Sequence, residues 1–515
     1  MSRRLLVLVG VAALVAVGTA YAWTQVVDDD GPAEETAASP ASTTAATTTT
    51  APPVTTTTAP PFRGWVDPAS SGQPFPNATV EGLLTFRGNP TRSYYGEGPV
   101  PRQPRQQWTY PGSAMCSESS DGEGTRTWCG TGWTGEPAVF ERDGRTWVVF
   151  GAYDRALHFV DADTGQDILP PFPTGDLIKG SVSIDPEGYP LVYFGSRDNY
   201  LRVVAFDRPQ PTELWSLSAD AVSPTMWNND WDGSPLVIGD HLLEGGENSQ
   251  FHIVKLNRSY GEGGLAQVAP QLVFNTPGWD DQLLADIGDT QVSIENSVAV
   301  SGNTVYFSNG GGLVQGWDLT GFRDGRPPRR TFRFWTGDDM DASVVVDEQG
   351  FLYVGVEWER HNARATDVGQ ILKLDPRHPN RPVVWAIDDQ GADTAGVWAT
   401  PALYRDIVIV ATNGGAIKGI DRGTGAVRWE LSLPGPTWQS PVIVDDVLIQ
   451  GDCNGFLHAY DVSDTTVQPP ELWQIELGGC IESTPAVWRG QIFVGTRAGL
   501  MHAITGPPRA TPGGG

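Results

Sequence analysis

From about residue 134 to residue 506 the chain restates one frame, and its clearest copy is residues 397–435, VWATPALYRDIVIVATNGGAIKGIDRGTGAVRWELSLPG. Four short strands parse from it: an apolar one after Thr400-Pro401, then IVIVAT, AIKGID and VRWELSL. The turn between the last two has a defined task. The Asp421 carboxylate caps backbone amides, and a glycine supplies the positive φ that closes the hairpin. The turn residue recurs at Asp161, Asp207, Asn257, Asp318, Asp375, Asp421 and Asp461, with Thr505 in the last copy. An outer-strand aromatic follows at Trp215, Phe274, Trp335, Trp385, Trp429 and Trp473, with Leu169 in the first copy. One such unit cannot bury its apolar faces alone, so neighbouring units must stack.

The last copy, ESTPAVWRGQIFVGTRAGLMHAITG, stops after three strands. Its fourth is expected from the N-terminal side, where QQWTYPG sets Trp108 in the outer-strand position. The prediction is an all-β fold: an eight-bladed β-propeller of four-stranded antiparallel blades, closed into a ring by an N-terminal outer strand. Closure leaves only short, protected edges on so many strands.

The frame in GIDRGTGAVRW, and more loosely in FVDADTGQDIL, resembles the pyrroloquinoline-quinone-like (PQQ-like) propeller repeat, as does the lead-in FRGNPTRSYYGEGPVP. The resemblance covers roughly residues 83–506, although 219–295 and 341–396 depart from the frame. It implies the fold but not one activity. The family holds quinoprotein dehydrogenases and also non-enzymatic members, among them the propeller subunit of the outer-membrane β-barrel assembly machinery.

The N-terminal end predicts export. Arg3 and Arg4 precede an apolar run, Leu5 to Val17, and the small-residue stretch Gly18 to Ala22. Residues 1–23 read as a signal peptide or a single membrane anchor. The Thr/Pro-rich residues 24–61 read as a disordered stalk and 507–515 as a disordered tail, leaving 62–506 for the propeller. The formal net charge is −27, which excludes nucleic-acid binding and leaves the N-terminal segment as the one expected membrane contact. The propeller is expected to be monomeric.

Links between blades and the turns between second and third strands share one face, the top, and the longest insertions fall there: 113–132, 219–232, 277–294, 357–368 and 386–397. Loops on a rigid scaffold are where function sits. Four cysteines in an exported chain allow three pairings, of which Cys116–Cys129 with Cys453–Cys480 joins nearest partners. Two positions before the leading Ser/Thr of each inner strand (Glu136 in the first blade), the chain reads Thr134, Lys179, Asp232, Glu295, Asp341, Trp398, Trp438 and Glu482. These residues should ring the mouth of the central channel, as a site for a cation, a sugar or a planar ring, or as a solvated rim. Asn228, Asp230 and Asp232, followed by Gly233, resemble the start of a calcium loop, though position twelve is Gly239.

Two functions follow. In the first, a non-catalytic binding or scaffold propeller at the cell envelope recognises a protein, peptide or glycan partner with its top face, using anchors drawn from Trp128, Trp227, Trp231, Trp279 and Trp358. In the second, implied by the resemblance, a PQQ- and Ca²⁺-dependent dehydrogenase of alcohols or sugars uses Glu295, Asn296 and Asp341. The sequence has no adjacent cysteine pair and no C-x-x-C-H, G-x-S-x-G or H-E-x-x-H motif. The first reading needs no cofactor.

Overall fold

A computed structural model describes residues 62–507 apart from 122, 123, 134, 392 and 393. The readings for 1–61, Thr134 and the end of the tail therefore lie outside the described residues. Among the described residues no helix is long and apolar enough to cross a membrane.

Eight antiparallel sheets follow one another around a channel, at 138–173, 183–218, 236–277, 299–335, 345–387, 402–432, 442–476 and 486–505. The burial pattern explains the strand sequences. The second strand of blade six, Ile407–Ala411, is buried at every position because sheets cover both its faces, so it reads as a continuous apolar run. The outer strand, Val427–Ser432, alternates because one face meets solvent. Strand β3 (Arg105–Tyr110) pairs antiparallel with Met501–Thr505 and completes blade eight. Ring closure at Trp108 is therefore as expected.

The repeated residues do what their positions imply. Asp421 Oδ1 accepts from the amides of Gly423 (2.9 Å) and Thr424 (2.7 Å). Two outer-strand indoles dock on the turn of the next blade: Trp385 Nε1 donates to the Arg422 carbonyl (3.1 Å), and Trp108 Nε1 to that of Ala162 (2.8 Å), whereas Trp335 Nε1 donates to the Gly311 carbonyl of its own blade (2.9 Å). Gly425 must be glycine twice over. Its φ is 77°, and a Cβ there would meet Trp385 at 2.6 Å. A ring of hydrogen bonds also links neighbouring inner strands. Ser234, Ser297, Ser343 and Thr400 each donate a backbone amide to the hydroxyl of the next blade, Ser297, Ser343, Thr400 and Ser440, at 2.8–3.0 Å.

Three features depart from a plain repeat. Helices α1 (Asp281–Ile287) and α2 (Ala363–Val368) interrupt the two stretches that lack the frame. A small hairpin at 259–260 and 266–267 is inserted into blade three. Finally, the lead-in enters the channel. Strands β1 (Gly82–Leu83) and β2 (Gly96–Glu97) add inside blades one and eight, and the segment between them plugs the bore. Arg87 and Arg92 are both 0 % exposed. Arg87 donates to the carbonyls of Pro441 (2.5 Å) and Pro401 (3.0 Å), and Arg92 to those of Val298 (2.8 Å) and Ser234 (3.1 Å). Each guanidinium thus spans two blades, its fork of donors serving carbonyls at the inner ends of both.

Both disulfides form as expected. Cys116–Cys129 ties a top-face hairpin, β4 (Cys116–Asp121) with β5 (Gly124–Cys129), and Cys453–Cys480 ties the loops of blades seven and eight.

Candidate functional site

The top mouth divides into an acidic half and an aromatic half. On the acidic side Lys179, entering blade two, reaches across to blade three. Its Nζ lies 3.0 Å from Asp230 and 3.2 Å from Glu247, and it also pairs with Asp232. Arg197 stands 3.5 Å from Asp230, and Asn228 donates to Glu247 at 2.7 Å. The oxygens of Asp230 and Asp232 that the calcium-loop pattern assigns to a metal thus face a lysine ammonium. Burial opposes the charge on Lys179, but the carboxylates outweigh it and hold the ammonium well above its usual range. Asp232 is pushed far up by burial and by Asp230 beside it.

Blade five carries a second acidic group. One oxygen from each of Asp339, Asp341 and Glu357 lies within 4.8 Å of the others. Burial, then repulsion from Glu295, Glu359 and one another, raises all three well above the carboxylate range. Glu295 lies between the two groups and interacts with both. Burial and the Glu247 charge lift it to about 7, while Ser293 Oγ donates to it at 2.6 Å. Asn296 is spent on the backbone, donating to Ser308 and Met340 carbonyls at 3.1 and 3.0 Å.

On the aromatic side Trp398 lies edge-on to Trp438, ring centres 5.5 Å apart, and Trp133 from the blade-one entry reaches across to within 6.1 Å of Trp398. Glu482 is held by Arg497 at 3.0 Å, and Arg497 stacks over Tyr153 and Trp128. The column read from the sequence therefore meets at one mouth, but not as equivalents. Lys179 and Asp232 are partners, Glu482 is tied within its own blade, and Trp398 and Trp438 form a wall. Of the five indoles proposed as anchors, Trp231 (0 % exposed) and Trp279 (9 %) are core, Trp128 and Trp358 are half-buried, and Trp227 is exposed at 53 %. Glu247, Asp339 and Glu357 escaped the sequence reading because two of them follow second strands, 17 and 18 residues from the aspartates they join. The signal that finds them is a D-x-D entry followed by Glu two residues after the second strand ends.

These residues suit a cation. Pyrroloquinoline quinone carries three carboxylates of its own, and the mouth opposes them with those at 230, 232, 247, 295, 339, 341 and 357, while Lys179 is already engaged by three of them. The residues present do not fit that group.

Comparison with known proteins agrees with the fold. A quinohemoprotein alcohol dehydrogenase from Comamonas testosteroni superposes with a TM-score of 0.53 at 13% identity, over 84% of this chain and 82% of that one. A europium-containing methanol dehydrogenase gives 0.52 at 13%, over 82% and 98%. At such identity the likeness concerns the fold alone. Outer membrane protein assembly factor BamB of Xanthomonas campestris pv. campestris is 31% identical over 87 residues, 17% of this chain and 20% of the relative. The match thus spans about a fifth of that relative's length. The family model of outer membrane protein assembly factor BamB matches residues 199–505, more than half of the chain, and the chain belongs to that family.

Proposed function

We propose that this chain is an exported, non-catalytic binding or scaffold propeller that recognises a protein partner at the cell envelope through its top face. A peptide or a glycan is the alternative partner for the same face. Membership of the assembly-factor family supports a protein-binding role. The observation that carries the reading is Trp227. Its indole is 53 % exposed, its φ is a strained 70°, and the residues on either side are pinned: Met226 donates to the Asn248 carbonyl and Asn228 to that of Glu247, both at 3.2 Å. A backbone held in a costly conformation to turn a large indole outward is pre-organised as an interface anchor. Replacing Trp227 by a photo-crosslinking amino acid in the native host should trap one discrete partner. Loss of that adduct in competition with unlabelled protein, but not with Trp227→Ala protein, would establish the anchor. A diffuse smear equal to that from an exposed control position such as Val467 would sink it.

The dehydrogenase reading keeps one clear test. A titration with pyrroloquinoline quinone and Ca²⁺, followed by tryptophan fluorescence, should stay flat, and turnover of an alcohol or aldose with a redox dye would reverse the ranking.

A further inference from the structure

Blades three and five build the same triad. In each, a D-x-D enters the inner strand (Asp230 and Asp232; Asp339 and Asp341), and a glutamate follows the second strand two residues past its end (Glu247; Glu357). Alternating residues of an extended segment point the same way, so both carboxylates of a D-x-D face the mouth. The glutamate is locked in the same way in both blades, Glu247 donating its amide to the Asp230 carbonyl (3.0 Å) and Glu357 to that of Asp339 (2.9 Å). Each set brings its three oxygens within 4.8 Å.

Only the counter-charge differs. The blade-three triad holds Lys179 from the preceding blade, with Arg197 beside it. At the position equivalent to Lys179, the blade preceding the second triad carries Glu295, a fourth negative charge. Asp341 is 8 % exposed and Glu357 2 %, yet neither carboxylate receives a hydrogen bond or an ion pair among the described residues. Carboxylates this buried are paired or coordinate a metal. We propose that Asp339, Asp341 and Glu357 bind one hard divalent cation, of the Ca²⁺ class, with water completing its shell. Lys179 and Arg197 compensate the first triad; among the described residues the second has only Arg360 in its neighbourhood, itself ion-paired to Asp289, and one dication supplies the remaining charge. All-oxygen, carboxylate-rich ligation favours calcium over softer metals. The site is independent of the partner assigned above.

The test uses the purified full chain stripped with a chelator. Calorimetry should show one calcium site with a Kd on the order of 10⁻⁴ M or tighter. Tb³⁺ in the same site should luminesce on excitation of tryptophan, with Trp398 entering the next blade, and Ca²⁺ should quench that signal by displacement. Asp341→Asn and Glu357→Gln should each weaken binding at least about tenfold. Glu295→Lys should install the ammonium that the other triad already owns, abolishing calcium and terbium binding in a protein that stays folded by circular dichroism. No saturable site on folded wild-type protein up to about 10⁻³ M calcium overturns the proposal. So does binding that all three variants retain unchanged.

Discussion

Lys179 illustrates how much one side chain can decide at the channel mouth. Three buried carboxylates lean on its ammonium, so Lys179→Met should destabilise the protein by about 3–5 kcal/mol at neutral pH, the usual result of stripping a buried ion cluster of one partner. Urea unfolding would measure it, and the loss should shrink as pH falls, because protonating the carboxylates removes the charge the lysine compensates. Glu136 gives a second residue-scale expectation. Burial lifts it from 4.5 to about 7, although the Arg87 amide and the two channel arginines pull the other way. The folded state therefore holds this proton more tightly than the unfolded one. Its contribution to stability is full below pH 4.5 and fades by about 3 kcal/mol as pH rises to 7. Glu136→Gln should remove that component of the pH slope, and an unchanged slope would contradict it. At this scale the sequence announced identities but not partners. Lys179 and Asp232 were visible as members of one column, whereas their pairing depends on how far one blade leans toward the next.

The individual blade is where the sequence was most legible. Turn aspartate, glycine and outer-strand tryptophan recur because each meets a local demand: a capped turn, a positive φ, a wedge against the next sheet. Gly425→Ala should cost about 1–3 kcal/mol through strain at φ 77° and collision with Trp385, read as a lowered unfolding midpoint. The disulfide Cys453–Cys480 closes 27 residues, so loss of both cysteines to serine should cost about 3.5 kcal/mol by chain entropy. Elements that the frame did not announce are two residues long, as in β1 and β2, or are helices of seven and six residues inserted in loops, as in α1 and α2. Two-residue strands carry no periodicity to read. Only their partners in blades one and eight define them.

For the whole molecule, the count of eight and the closing strand followed from the truncated last repeat. The plug did not. Arg87, Asn89, Thr91 and Arg92 look like a polar surface loop, and they are all 0 % exposed because the bore offers carbonyls in place of water. Sequence polarity cannot tell a solvated loop from one solvated by protein. Arg92→Met should strand Glu244, which is buried and opposed only by Arg92, and lower stability by about 3–5 kcal/mol in chemical denaturation. A drop of less than 1 kcal/mol would show the plug to be a passenger in the channel.

Time enters through the same plug. Arg87 leans on carbonyls 314 and 354 residues further along the chain, and β3 waits for the strand Met501–Thr505. A chain delivered N-terminus first must therefore carry Arg87 and β3 without these partners until the last three blades have arrived. The ring therefore cannot lock before its last blade is available, however early its first blades form.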